Sequence, residues 1–290
     1  MTGGRHDVDE ATFEQHRPHL RAVAFRMLGS LTDADDAVQE AWLRMDRADV
    51  GDVRNPRGWL TTVVARICLD VLRARNARPE KPLDEAATIP AHDAFDPEQQ
   101  AVLADSVGIA LLVVLQTLSP AERLAFVLHD MFDLPYAEIA PIVGRSENTA
   151  AQLASRARRR VRGKTPDPAT DLAHQRRLVD AFLAAARDGD FDALLALLDD
   201  DVELHVDATA AGTPTTIRGA DAVAANAHAF SANARFAEPA LVDGAVGIVV
   251  APLGRLALVL RFGIAGDRIS DIDIVADPMR LHALDLALLD

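Results

Sequence analysis

Apolar residues recur every three to four positions over much of the first 163 residues, and the pattern changes to long apolar runs in the last hundred. In Phe13–Leu28, Leu20, Val23, Ala24 and Met27 share one stripe, which predicts an amphipathic helix. Thr32 is placed to cap a second helix. Asp33, Asp35 and Asp36 fall in its first turn, where the dipole favours negative charge, and Val38, Ala41, Trp42 and Met45 supply its apolar side. After the loop Asp49–Pro56 a third helix is expected over Arg57–Arg75, with Val64, Ile67, Cys68, Val71 and Leu72 at apolar positions and Arg73, Arg75 and Arg78 at its end. Residues 79–97 hold four prolines and no periodicity, which predicts a linker. Helical patterning returns over 98–163, first in Glu98–Gln116 and then after Ser119-Pro-Ala-Glu, which has the form of a capping box.

The stretch Leu134–Arg160 reads as a helix-turn-helix. Ile139, Ala140 and Val143 make the apolar side of a short helix, and Gly144 ends it where a left-handed residue costs least. Ser146 caps the next helix, on which Thr149, Gln152, Ser155 and Arg156 share a polar face. Ala140 and Ala150 are small enough for two such helices to touch. A helix placed in this way fits the major groove of DNA, and arginines 156, 158, 159 and 160 follow where phosphates would lie.

A second linker, Lys164–Asp171, carries two prolines. Beyond it, helices are expected at Leu172–Arg187 and Phe191–Leu198, strands at Val202–Val206, Leu241–Val250, Leu256–Phe262 and Ile269–Val275, and a helix near Ala220–Ser231. In the last strand Ile272, Ile274 and Ala276 face one way and Asp271, Asp273 and Val275 the other. The architecture expected is therefore multidomain: all-α domains over 10–78 and 98–163, and an α+β domain over 172–290.

Charge refines this picture. The net charge of −14 argues against nucleic acid until its distribution is considered. Residues 1–165 hold 21 Lys and Arg against 24 Asp and Glu, net −3, whereas residues 166–290 hold 9 against 20, net −11. Local basic helix ends, Arg66–Arg78 and Arg156–Lys164, are what polynucleotide would meet, and the acidic last third is expected to oppose DNA binding. The longest apolar run, Gly108–Leu115, is too short to span a bilayer, and the N-terminus is polar and acidic. The one cysteine, Cys68, sits in a core pattern. These features lead us to expect a cytoplasmic protein with no membrane contact.

Taken in order, the motifs resemble the extracytoplasmic-function sigma factors of bacterial RNA polymerase. DADDAVQEAWLR (Asp33–Arg44) is similar to the family's polymerase-docking helix. NPRGWL (Asn55–Leu60) with the basic helix after it looks like the minus-ten region. LSPAERLAFVLHD (Leu118–Asp130) with the helix-turn-helix looks like the minus-thirty-five region. The tail is similar to the cone-shaped SnoaL-like, or nuclear-transport-factor-2-like, α+β domain, and the fusion with QLASRAR (Gln152–Arg158) resembles the mycobacterial SigJ-type subgroup. The resemblance implies core RNA polymerase and promoter DNA as partners, no cofactor and no catalytic step. It also implies regulation in cis by the C-terminal domain, where a small-molecule ligand is one expectation.

Residue by residue, two readings stand together. Asp33, Asp35, Asp36, Gln39 and Glu40 either meet a basic surface on the polymerase, as the resemblance implies, or form a solvated face. Asn55, Arg66, Asp70, Arg73 and Asn76 are either base and phosphate contacts or a capped loop and solvated charges. Glu147, Asn148, Thr149, Gln152 and Arg156 are the major-groove candidates, and Arg158, Arg159 and Arg160 the phosphate candidates. Trp42 and Trp59 lie at apolar helical positions, which favours core over base stacking. In the tail, His205, Asp207, Asp221, His228, Asp243, Asp271 and Asp273 are candidates for acid–base chemistry, with no metal-ligand spacing among them. The rival function is a SnoaL-like enzyme or ligand sensor fused to DNA-binding helices.

Overall fold

The computed structural model describes residues 3–47, 55–77, 108–163, 171–229 and 234–289. Most of the loop expected before Asn55, the linker at 79–97, the start of the helix expected over 98–116 and nearly all of the linker at 164–171 lie outside the described residues. The chain divides into two units, 1–81 with 118–159, and 82–117 with 160–290.

The first unit is helical. Helices α1 (Gly3–Leu28), α2 (Leu31–Arg47) and α3 (Pro56–Ala77) pack on one another. Phe13, Leu20 and Met27 of α1, Val38 and Met45 of α2, and Leu60, Val64 and Cys68 of α3 form their buried seam. Burial pushes the Cys68 thiol up to about 12, as befits a core thiol. Trp42 packs on Phe13 at 5.0 Å between centroids, the core placement its spacing favours. The cap of α2 is Ser30 rather than Thr32: its hydroxyl accepts from the Asp33 amide at 3.3 Å, and the helix begins at Leu31, two residues earlier than a Thr32 cap would place it.

The same unit contains α5 (Pro120–Phe126), a π-helical turn (Val127–Met131), α6 (Tyr136–Val143) and most of α7 (Glu147–Arg162). The capping box at Ser119 and Glu122 is formed in both directions. Helix α3 packs on α5 and α6, and the π turn on α1. The two all-α regions, expected as separate domains, thus share one core. A buried guanidinium joins them: Arg123 of α5 is 6% exposed and its Nη donates to the Met27 carbonyl in the last turn of α1 at 2.9 Å, satisfying an orphan helix-end acceptor. Burial, then the nearby Arg75 charge, lowers Arg123 to about 10.

The second unit is a seven-stranded sheet with helices. Strands β1 (Leu198–Val206), β2 (Thr215–Arg218), β3 (Ala237–Val242), β4 (Ala245–Val250), β5 (Leu258–Ala265), β6 (Arg268–Val275) and β7 (Leu286–Ala287) order as β2-β1-β6-β5-β4-β3-β7. All neighbours are antiparallel except β1 and β6. One face carries Leu204, Ile248, Leu260 and Ile272 against α8 (Leu172–Asp188), α9 (Phe191–Leu197) and α11 (Ala220–Ala229), which contribute Val179, Phe182, Leu194 and Val223. Two short helices, α10 (Ala208–Ala211) and α12 (Pro278–Ala283), lie in the connections.

Two expectations change here. The single strand expected over Leu241–Val250 is a hairpin, because Asp243 and Gly244 both take positive φ (53° and 88°), the geometry of a two-residue Asp-Gly turn. The end of the helix expected over Glu98–Gln116 is α4 (Ile109–Gln116), and it belongs to the sheet unit, on β3 and β7. Its sequence, IALLVVLQ, is apolar all round, so it needs cover on several sides. Its N-terminus has no cap of its own; Glu238 of β3 accepts from the Ala110 amide at 2.9 Å.

Candidate polymerase and nucleic-acid interface

The acidic face of α2 is only partly open. Asp35, Asp36 and Gln39 are exposed. Asp35 pairs with Arg21 at 2.6 Å and Glu40 with Arg44 at 2.9 Å, both near the surface. Asp33 turns toward α3 and pairs with Arg75 at 2.8 Å, so this residue ties two helices together.

On α3, Arg66, Asp70, Arg73 and Asn76 are all exposed and three or four residues apart, which puts them on one stripe. Asn55 is different: its side-chain oxygen accepts from the Gly58 amide at 3.0 Å, so it caps α3. Arg73 lies 3.8 Å from Asp70 and reaches the Val143 carbonyl, at the end of α6, at 3.5 Å. Trp59 is half-buried.

The helix-turn-helix forms as its spacing predicts. Gly144 ends α6 with φ of 70°, and no atom lies within 4 Å of where a Cβ would be, so glycine is needed there for its backbone rather than for space. The Ser146 hydroxyl accepts from the Thr149 amide at 3.3 Å and meets its hydroxyl at 2.9 Å. Ala150, Leu153, Ala154 and Ala157 are the buried side of α7, while Glu147, Asn148, Gln152, Arg156 and Arg159 are exposed on the other. Thr149 is half-buried and occupied with Ser146. Arg145, in the turn itself, is also exposed; its position beside a helix N-terminus was the signal that the sequence reading missed.

Two of the phosphate candidates are engaged within the fold. The Arg158 guanidinium pairs with Asp130 and donates to the Tyr136 hydroxyl at 2.7 Å, which holds α7 on the π turn; the Asp130 bond raises its pKa. Arg160 falls in the sheet unit and donates to the Thr117 carbonyl at 3.2 Å.

His19 of α1 sits among these elements. Arg57 donates to its Nδ1 at 3.2 Å, the Thr61 hydroxyl lies 3.1 Å from Nε2 and donates to the Arg57 carbonyl, and the Phe132 ring meets it edge-on at 5.2 Å. This network satisfies the neutral imidazole at both nitrogens. Burial, then Arg57 and His16, lower its pKa to about 4. The unfolded chain, at 6.5, therefore takes up a proton before the folded chain does. Stability from this site is present above pH 6.5 and falls as the pH drops toward 4, where the loss levels off. The urea midpoint of the wild type is expected to fall more steeply over that window than that of His19→Gln; parallel curves would refute the assignment.

Among the described residues, the tail candidates do not assemble an acid–base pair. Asp207 is a structural anchor: burial opposes its charge, but bonds from the amides of Asp277, Ala276, Ala210 and Thr209 outweigh it and hold its pKa below the usual value. His205 is half-buried beside Thr216 and Glu203, and Asp221 is exposed on α11. The side chain of His228 lies outside the described residues. Asp243, Asp271 and Asp273 line a shallow cavity of about 260 Å³ with Arg261, which sits 3.8 Å from Asp243 and 3.9 Å from Asp273. Among the described residues no cluster of His, Cys, Asp and Glu could hold a metal ion, and no helix is long and apolar enough to cross a membrane.

Known proteins similar to this chain identify its family. The Sigma-70 region 2 family matches residues 12–78, and the Sigma-70 region 4 family matches residues 109–161. The chain is 37% identical over 289 residues to the probable ECF RNA polymerase sigma factor SigI of Mycobacterium tuberculosis, covering 97% of each. It is 42% identical over 218 residues to the ECF RNA polymerase sigma factor SigJ of the same species, covering 73% of this chain and 68% of SigJ. The crystal structure of Mycobacterium tuberculosis SigJ aligns with 93% of this chain and 97% of that one at 32% identity, with a TM-score of 0.46. With region 2 and region 4 in order, and with SigI matched over 97% of each chain, the chain belongs to the extracytoplasmic-function sigma factors, which bind core RNA polymerase and direct promoter-specific initiation.

Proposed function

We propose that core polymerase docks on the exposed part of α2, chiefly Asp35, Asp36, Gln39 and Glu40. The stripe Arg66, Asp70, Arg73 and Asn76 on α3 takes the minus-ten element. Glu147, Asn148, Gln152 and Arg156 on α7 read the minus-thirty-five element in the major groove, with Arg159 and Arg145 on phosphate. The observation that carries this reading is the split of α7 into a buried alanine and leucine side and an exposed polar side, begun by a serine cap. The chain works in the cytoplasm, where its polymerase is, and performs no catalysis of its own.

The sheet domain regulates in cis. Both chain segments that flank residues 118–159 are rooted in it. Helix α4 packs on β3 and β7, and the Val161 carbonyl at the end of α7 accepts from the Leu288 amide at 2.9 Å. Its charge of −11 over residues 166–290 favours a brake on promoter binding.

Run-off transcription with core polymerase on fragmented genomic DNA tests the main reading. Discrete transcripts that require the chain are expected, and output equal to core enzyme alone would overturn it. Within such a promoter, Arg156→Ala is expected to cost roughly 1–3 kcal/mol and to relax preference at one base pair. Arg159→Ala is expected to weaken all sequences alike and to reduce the salt slope by about one phosphate. A uniform loss in both variants would remove Arg156 from base readout.

A further inference from the structure

We infer that the sheet unit holds a binding site for a small amphipathic carboxylate, outside the interior of the cone. That interior is filled by packed side chains such as Phe182, Leu194 and Ile248. A separate cavity of about 450 Å³ opens among α4, α12, β7 and the last turn of α7. This is within the usual range of small-molecule sites, roughly 300–1,000 Å³. Val113, Leu256, Leu281 and Leu286 give it an apolar wall. Its polar edge holds the Arg160 guanidinium, the His282 ring and a single carboxylate, Asp285. An apolar body carrying one anionic group satisfies both parts. Asp285 on the same edge disfavours a polyanion such as a nucleotide.

The position of this cavity gives it consequence. Thr117 and Arg160 both line it, and they are the residues at which the chain leaves the sheet unit for residues 118–159 and returns. The Arg160 guanidinium donates to the Thr117 carbonyl at 3.2 Å, and the Gln116 amide donates to the Gly254 carbonyl. The C-terminal segment under the cavity is fixed by reciprocal bonds of Asp243 with the Asp285 backbone, both at 2.9 Å. A carboxylate on Arg160 therefore acts on the bond that joins the two crossing points. Its effect on transcription rests on the reading of the sheet domain as a regulator in cis; its binding does not.

The probe is decanoate, titrated calorimetrically into the full chain, with 1-decanol as the uncharged control. Saturable one-to-one binding is expected, weaker for decanol by about tenfold, the size of one charge-assisted hydrogen bond. Leu281→Trp, which fills the cavity, is expected to abolish it. Methyl resonances of Leu256 and Leu281 in the wild type are expected to shift with the same saturation, a measurement that does not depend on the variant folding. Linear, unsaturable heats, equal affinity for the alcohol, or methyl resonances that do not move would overturn the site. If decanoate binds as expected and run-off output stays constant at saturation, the binding site stands and its coupling to transcription is overturned.

Discussion

Core RNA polymerase is expected to lose the chain when Asp35, Asp36 and Glu40 are all replaced by lysine, with affinity falling by at least about tenfold. Asp35 and Asp36 are exposed on α2, and the ion pairs of Asp35 with Arg21 and Glu40 with Arg44 lie at the surface, where such pairs contribute little to stability. The fold should therefore survive the reversal. The partner surface, which the docking reading makes basic, would instead meet three like charges, a juxtaposition that is far more costly than the loss of attraction. Asp33 is left out of the triple variant on purpose, because its pair with Arg75 joins α2 to α3. Co-purification with core enzyme measures the effect, and circular dichroism checks the helices. Undiminished capture of the triple variant would place docking elsewhere.

Ending the chain at Lys164 is expected to produce aggregated protein with strong binding of an apolar dye. The cut removes β3 and β7, which cover α4, and leaves Leu112, Val113, Val114 and Leu115 without the surface that buries them to 1% or less. Each loses burial of about 1.5–3 kcal/mol. Glu238, the acceptor for the Ala110 amide, goes with them. Replacing Leu112, Val113, Val114 and Leu115 by serine in the chain that ends at Lys164, which leaves α1–α3 and their packing on α5 and α6 in place, is expected to relieve the dye binding. A monomeric Lys164 truncation with no dye binding would show that α4 does not depend on the sheet. For this reason the influence of the sheet domain on transcription is best read on the intact chain.

How much of this was legible in the residues follows from the range of each signal. Gly144, Ser146 and the alternation on α7 act within four or five positions, and they appear where the spacing places them. The stripe on α3 was legible for the same reason. Ser30 in place of Thr32, and the Asp243–Gly244 turn inside an apolar run, were short-range signals that a stronger neighbouring pattern hid. The rest was out of range. Nothing near Arg158 in the chain announces Asp130 and Tyr136, which lie 28 and 22 residues away, and nothing near α4 announces β3. Asn55 and Arg73 were chosen by residue type; the fold gives the first a helix to cap and the second a carbonyl to meet.

That last contact bears on how the protein finds promoters. With Arg73 at 3.5 Å from the Val143 carbonyl, α3, the helix proposed to take the minus-ten element, and the helix-turn-helix are immediate neighbours in one packed unit. The two promoter elements are named for positions roughly 25 base pairs apart, about two and a half turns or some 85 Å of duplex. No arrangement that keeps the two helices in contact can straddle that distance. A chain diffusing by itself in this form can grip DNA with one reader at a time, so promoters and random genomic sequence compete for it on nearly equal terms and neither holds it for long. On the proposed assignment of the two readers, selectivity arises when an assembly partner separates them, and the free pool stays available to polymerase rather than being sequestered on its own target sites.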